Sequence, residues 1–119
     1  MNYSVIEKNN KKYIQYASSD SILRTESDAL NIIGACYEKD IWLLIIHEEA
    51  LSEDFYNLRT GLAGAVLQKF MNYQIKAAVI IKNKEKISGR FREMALEANK
   101  GNDFRVYDNL VDAEAWLLQ

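Results

Sequence analysis

Apolar residues recur along this chain with two different periods. Two runs, Ile41–His47 (IWLLIIH) and Ala77–Ile81 (AAVII), are almost continuously apolar, the pattern of strands buried on both faces of a sheet. Between them Ala63, Val66, Leu67 and Phe70 fall at i, i+3, i+4 and i+7, one face of an amphipathic helix. Two such strands joined by a helix make a βαβ unit, which predicts parallel strands and a right-handed crossover. The polar stretch from Glu48 onward therefore leaves the C-terminal end of a central strand, where open α/β sheets place their ligand and partner sites.

The flanking segments extend this unit. Tyr3–Glu7 and Lys12–Ala17 predict two short strands, and Lys8, Asn9, Asn10 and Lys11 supply the turn of an antiparallel edge hairpin, since asparagine tolerates left-handed backbone. Ala17–Arg24 predicts a polar loop with an apolar Ile22–Leu23 insert. Ser27 is expected to cap a helix to about Glu38, with Ala29, Ile32, Ile33 and Cys36 on its buried face and Asp40 closing it. Ser88 starts a further helix carrying Phe91, Met94, Ala95 and Ala98 at helical spacing, and Gly101 is expected to end it. Asp103–Tyr107 predicts a strand with Phe104 and Val106 on one side. A last helix, Leu110–Leu118, places Leu110, Ala113 and Leu117 on one face. The order β-β-α-β-α-β-α-β-α predicts one α/β domain over residues 1–119, a mixed, mostly parallel sheet with helices packed against it.

Composition narrows the class. Fifteen basic and 17 acidic side chains give a net charge of -2 and form no basic stripe, so nucleic-acid binding has no electrostatic footprint. The apolar runs are far shorter than the ~20 residues of a membrane-spanning helix. The N-terminal MNYSVIEKNNKK reverses the charge order of a signal peptide, which makes a cytoplasmic protein the expectation. The single cysteine, Cys36, leaves no intramolecular disulfide or Cys-rich zinc site and reads as a small buried hydrophobe.

Candidate chemistry concentrates after the central strand. His47 is the one histidine, so any Ser-His or Cys-His pair must use it, with Glu48 or Glu49 as partner. No serine lies in a G-x-S-x-G elbow, and a strand-end histidine bonded to a loop is the ordinary alternative. Glu48, Glu49, Glu53 and Asp54 could supply metal ligands, yet acids at Ser52–Asp54 equally suit a first helical turn. No metal or cofactor is expected. Arg59-Thr60-Gly61 combines a hydroxyl, a cation and a glycine near a helix start, a setting for an anion or for phosphorylation. The alternative is a plain helix cap, with Gly61 and Gly64 permitting close helix–sheet packing. Ser88, Arg90 and Arg92 present a second candidate phosphate contact, and Phe55–Tyr56 a candidate hydrophobic partner surface.

Two blocks, Leu51–Tyr73 (LSEDFYNLRTGLAGAVLQKFMNY) and Glu97–Phe104 (EANKGNDF), carry a resemblance. The chain resembles, over essentially its whole length, a family of small bacterial proteins catalogued as domain of unknown function 4180. That family in turn looks like the STAS (sulfate transporter and anti-sigma antagonist) fold. STAS antagonists carry Asp-Ser-Ser-Gly-Leu at a helix start, and a partner kinase phosphorylates the residue before the glycine. Here the motif falls on Leu58-Arg59-Thr60-Gly61-Leu62, with Leu58 for the acid, Arg59 for the first serine and Thr60 at the phosphoacceptor position. The resemblance implies a non-enzymatic regulatory module that binds a protein partner through Thr60, Gly61 and the loop from His47 through Ser52, Glu53, Asp54, Phe55 and Tyr56. A second expectation is a small anion or nucleotide bound at the strand ends by Arg59, Thr60, Gly61 and Lys82 or Asn83. An enzyme using His47 is a remote third.

Overall fold

The computed structural model describes residues 2–119. Two asparagines at the start of the chain make the sheet's first turn. Asn9 and Asn10 both adopt positive φ, 55° and 63°, the conformation that a two-residue hairpin needs at both central positions. They join β1 (Ser4–Lys8) to β2 (Lys11–Tyr16) in an antiparallel pair, as the Lys-Asn-Asn-Lys sequence predicts. A single 3-10 turn follows, and then α1 (Glu26–Lys39). Its cap is Thr25, not Ser27: the Thr25 hydroxyl accepts the Asp28 N–H while the Asp28 carboxylate accepts the Thr25 N–H. The reciprocal pairing needs an acid or amide three residues past the cap, which Thr25 has and Ser27, followed by Leu30, lacks. The helix buries Ala29, Ile32, Ile33 and Cys36 and ends at Asp40 in left-handed backbone, as expected.

The central strand β3 (Leu43–His47) begins two residues later than Ile41, whose N–H still bonds the Cys36 carbonyl at the helix end. It is followed by the short α2 (Glu53–Tyr56), by α3 (Leu62–Asn72) and by β4 (Lys76–Ile80). Next come α4 (Gly89–Ala98), β5 (Phe104–Tyr107) and α5 (Leu110–Leu117). The sheet order is β1-β2-β3-β4-β5, antiparallel for the first pair and parallel for the other three. This is the mixed, mostly parallel α/β arrangement expected. Strand alternation divides the core in two. Leu44, Ile46, Ala77, Val79 and Ile81 pack with α1, α3 and α4, whereas Ile45, Ala78 and Ile80 pack with α5. Among the described residues no helix is long and apolar enough to cross a membrane.

Two helix ends depart from expectation. No positive φ occurs at Gly101; α4 closes at Asn99, whose carboxamide accepts the Val106 N–H at 2.8 Å and donates to the Val106 carbonyl at 3.0 Å. In α5, Leu110 is 37% exposed, and the inward face carries Ala113, Glu114, Trp116 and Leu117. Glu114 can face inward because two donors meet it. The Tyr13 hydroxyl donates at 2.6 Å and the Lys8 ammonium at 2.8 Å.

Burial pushes the Glu114 carboxyl upward, but hydrogen bonds from Lys8 and Tyr13 and the Lys8 charge outweigh it and hold it below its ordinary value. Replacing Glu114 with alanine strands the Tyr13 hydroxyl and should cost ~1–3 kcal/mol at pH 7. The lowered carboxyl contributes stability that is complete above its unfolded pKa of ~4.3 and is lost as pH falls through the folded value. Urea unfolding at pH 7 and below pH 4 should therefore show the gap between wild type and Glu114→Ala narrowing in acid, down to the pH-independent cost of the stranded Tyr13 hydroxyl.

Candidate functional site

The rim at the C-terminal ends of β3 and β4 is built by two connections, residues 48–61 and 81–88. His47 closes β3 beside Ile80 of β4. Its Nε2 lies 2.9 Å from the Gln15 carboxamide oxygen of β2, so its partner is a neighbouring strand, not a loop. Burial lowers the His47 pKa, and Lys82 adds to this against the opposing charges of Glu49 and Glu48. The ring is thus neutral at pH 7, with Nε2–H donating to Gln15. No serine or cysteine pairs with it among the described residues.

The first connection is a chain of single turns pinned at intervals. Glu48–Ala50 form one, after which Leu51 bridges Leu23, whose N–H bonds the Ala50 carbonyl at 2.7 Å. Ser52 starts α2, and its hydroxyl is buried without a partner. Phe55 is 0% exposed, so the expected surface residue is a core anchor: its ring meets Phe91 of α4 at 5.9 Å, and Tyr56 meets Phe91 at 5.2 Å. Tyr56 is half-buried, and burial with the charges of Glu48, Glu53 and Glu49 pushes its hydroxyl up to about 12.

The acids bind protein groups. Glu48 accepts the Asn83 N–H at 3.3 Å, tying the two connections together, and Glu53 pairs with Lys86 at 2.5 Å. Among the described residues no group of three or more His, Cys, Asp or Glu side chains is placed to hold a metal.

Thr60 is exposed, one residue before the cap of α3. Its hydroxyl shares one proton between the Asp54 and Asn57 carbonyls, at 2.7 and 2.9 Å, and accepts the Leu62 N–H at 3.2 Å. One side chain thereby fastens α2, the Leu58–Thr60 turn and the start of α3. Gly61 follows at φ 77°, and its N–H bonds the Leu58 carbonyl at 3.1 Å. Gly64, expected to allow close packing, is exposed, and a Cβ there would meet nothing within 4 Å.

Of the second phosphate candidate, the fold brings Ser88 and Arg90 to Arg59 but not Arg92. The former three share an open cleft of about 300 Å³ between Tyr56–Arg59 and Ser88–Phe91, while Arg92 lines a separate groove with Leu96 and Tyr107. The cleft joins residues about thirty positions apart, so neither segment's sequence announces it. Asn57, which no local pattern marked, lines it and accepts the Arg59 N–H through its side chain.

A family model described as Domain of unknown function (DUF4180) matches residues 8–117. No curated protein and no solved structure matches the chain.

The two glycines of the connection should respond oppositely to alanine. Gly61→Ala forces a Cβ into left-handed backbone and should cost ~1–2 kcal/mol. Gly64→Ala, on the exposed face of α3, should stabilise by ~0.5–1 kcal/mol. Chemical denaturation of both variants measures the pair.

Proposed function

The chain belongs to the DUF4180 family, and from that premise we propose that it is a cytoplasmic, non-enzymatic regulatory module that docks a protein partner on the rim around Thr60 and Gly61. The observation that carries this reading is the position of the Thr60 hydroxyl. It is exposed at the rim, yet it holds three backbone groups of the β3–α3 connection in place. A change at that atom changes the shape of the surface offered to a partner.

The STAS-like reading is part of the same proposal. It is supported by an antiparallel first strand pair, three parallel pairs and the glycine after Thr60 at the start of α3. A phosphate on Thr60 would remove the donor that binds the Asp54 and Asn57 carbonyls and add about -1.5 to -2 of charge beside Arg59. Both effects act on the stretch from Tyr56 to Gly61 rather than on the core, because the buried Phe55 and Leu62 hold it on either side. The rim would rearrange while the sheet stays folded.

Quantitative pull-down from lysate of the native host tests this with wild type, Thr60→Ser and Thr60→Glu. Serine keeps the three hydrogen bonds, so its partner recovery should match wild type. Glutamate loses them and adds charge, and recovery should fall at least tenfold. Equal recovery with all three, or no protein enriched by wild type, overturns the proposal.

A further inference from the structure

We infer that the cleft between the β3–α3 connection and the first turn of α4 is a binding site for a phosphomonoester dianion. Its lining is donor-rich and contains no carboxylate. Arg59 and Arg90 reach it from separate segments, and neither forms an ion pair among the described residues, although Lys86 and Glu53 pair nearby. Two arginines lining one cleft that holds no carboxylate bring like charge together, and a dianion bound there would convert that repulsion into charge-assisted, fork-shaped hydrogen bonds.

The neutral groups agree in sign. The Ser88 hydroxyl makes no capping bond to its own helix. The Asn57 oxygen is engaged by the Arg59 N–H, so what its side chain has left to offer a ligand is the donor half of the carboxamide. Tyr56, Leu58 and Phe91 complete the lining and supply apolar surface suited to the carbon that carries the ester. At about 300 Å³ the cleft lies at the lower limit of small-ligand sites, which fits a phosphate and its first few carbons. A monoester has two sources, a free small molecule or a phosphorylated side chain of another protein.

This site does not depend on Thr60, which does not line the cleft, nor on a protein partner. Failure of the pull-down leaves it standing, and its own failure leaves the pull-down reading standing.

The test is a backbone amide NMR titration at constant ionic strength with inorganic phosphate, with free phosphoserine, with a short phosphoserine peptide and with the same peptide unphosphorylated. Wild type is compared with the Arg59→Gln/Arg90→Gln double variant, whose melting temperature is checked to match. Saturable shifts confined to residues 57–60 and 88–91, at least tenfold weaker in the double variant, are the expected result. Tighter binding of the phosphopeptide than of free phosphoserine assigns a protein-borne phosphate, and equal binding assigns a free monoester. Shifts that grow without saturating, equal affinity in the double variant, or equal binding of the unphosphorylated peptide overturn the inference.

Discussion

Parallel pairing of β3 with both its neighbours is the constraint on which the rest of this structure depends. A central parallel strand is apolar on both faces and needs both covered. Each return to the same end of the sheet also requires a crossover. Three crossovers place α1, α3 and α4 over one face, leaving the other to α5, eight residues long. So short a helix covers that face only with help from long side chains. Trp116 lies against it with the Lys76 ammonium 4.6 Å and the Arg105 guanidinium 5.1 Å from its ring centroid, and Tyr107 stacks at 6.2 Å. Lys76 also caps α5, donating to the carbonyls of Trp116 and Leu117. Amphipathic stems here extend the apolar cover while their charged heads bond the helix end.

The same topology leaves two strand edges, and each is managed differently. On β5 the outward-facing N–H and C=O of Val106 are both taken by the Asn99 carboxamide, which stands in for a missing strand partner. That role explains why α4 stops at Asn99 without left-handed backbone: the residue that would cap the helix is fastened to the sheet. On β1 the edge is short and carries Lys8 at its end, tied to Glu114. Lys8, Tyr13 and Glu114 thus join the hairpin to the lone helix by charge and hydrogen bonding where apolar area is scarce.

What was legible in the sequence follows from where the determining contacts lie. The buried face of α1, the two apolar strands and the Asn9–Asn10 turn depend on residues within a few positions of one another, and periodicity or turn chemistry reveals them. The inward face of α5 was not legible. Glu114 is inside because Tyr13 and Lys8, 101 and 106 residues earlier, donate to it, and a helical pattern ranks a glutamate as outward and Leu110 as inward. The connection from Glu48 to Gly61 resisted for another reason. It consists of one-turn pieces with no sustained period, so Phe55 read as a surface aromatic when Phe91, 36 residues on, makes it core. Thr60 was identified by its neighbours Arg59 and Gly61, yet its three backbone contacts come from a fold of the chain that no spacing rule encodes.

These facts together decide which parts of the fold are held firmly and which are not. The sheet and its crossover helices are held by apolar area on two faces, and no single exposed group controls them. The rim is different: between the buried anchors Phe55 and Leu62 the chain crosses in the open, and its shape rests on Asn57, Thr60 and the left-handed Gly61. Segments with few buried apolar contacts and exposed backbone hydrogen bonds are the first to open in a native protein. Glu48 bonds the Asn83 N–H of the next connection, and Phe55 and Tyr56 pack on Phe91 of α4. The segment carrying Ser88 and Arg90 is thus joined to the Glu48–Gly61 connection by contacts that lie outside the sheet. Thr60 and Arg59 are adjacent residues on a single turn of this stretch, so the hydroxyl that pins the connection and the cation that lines the cleft both sit on the part of the fold with the least apolar cover.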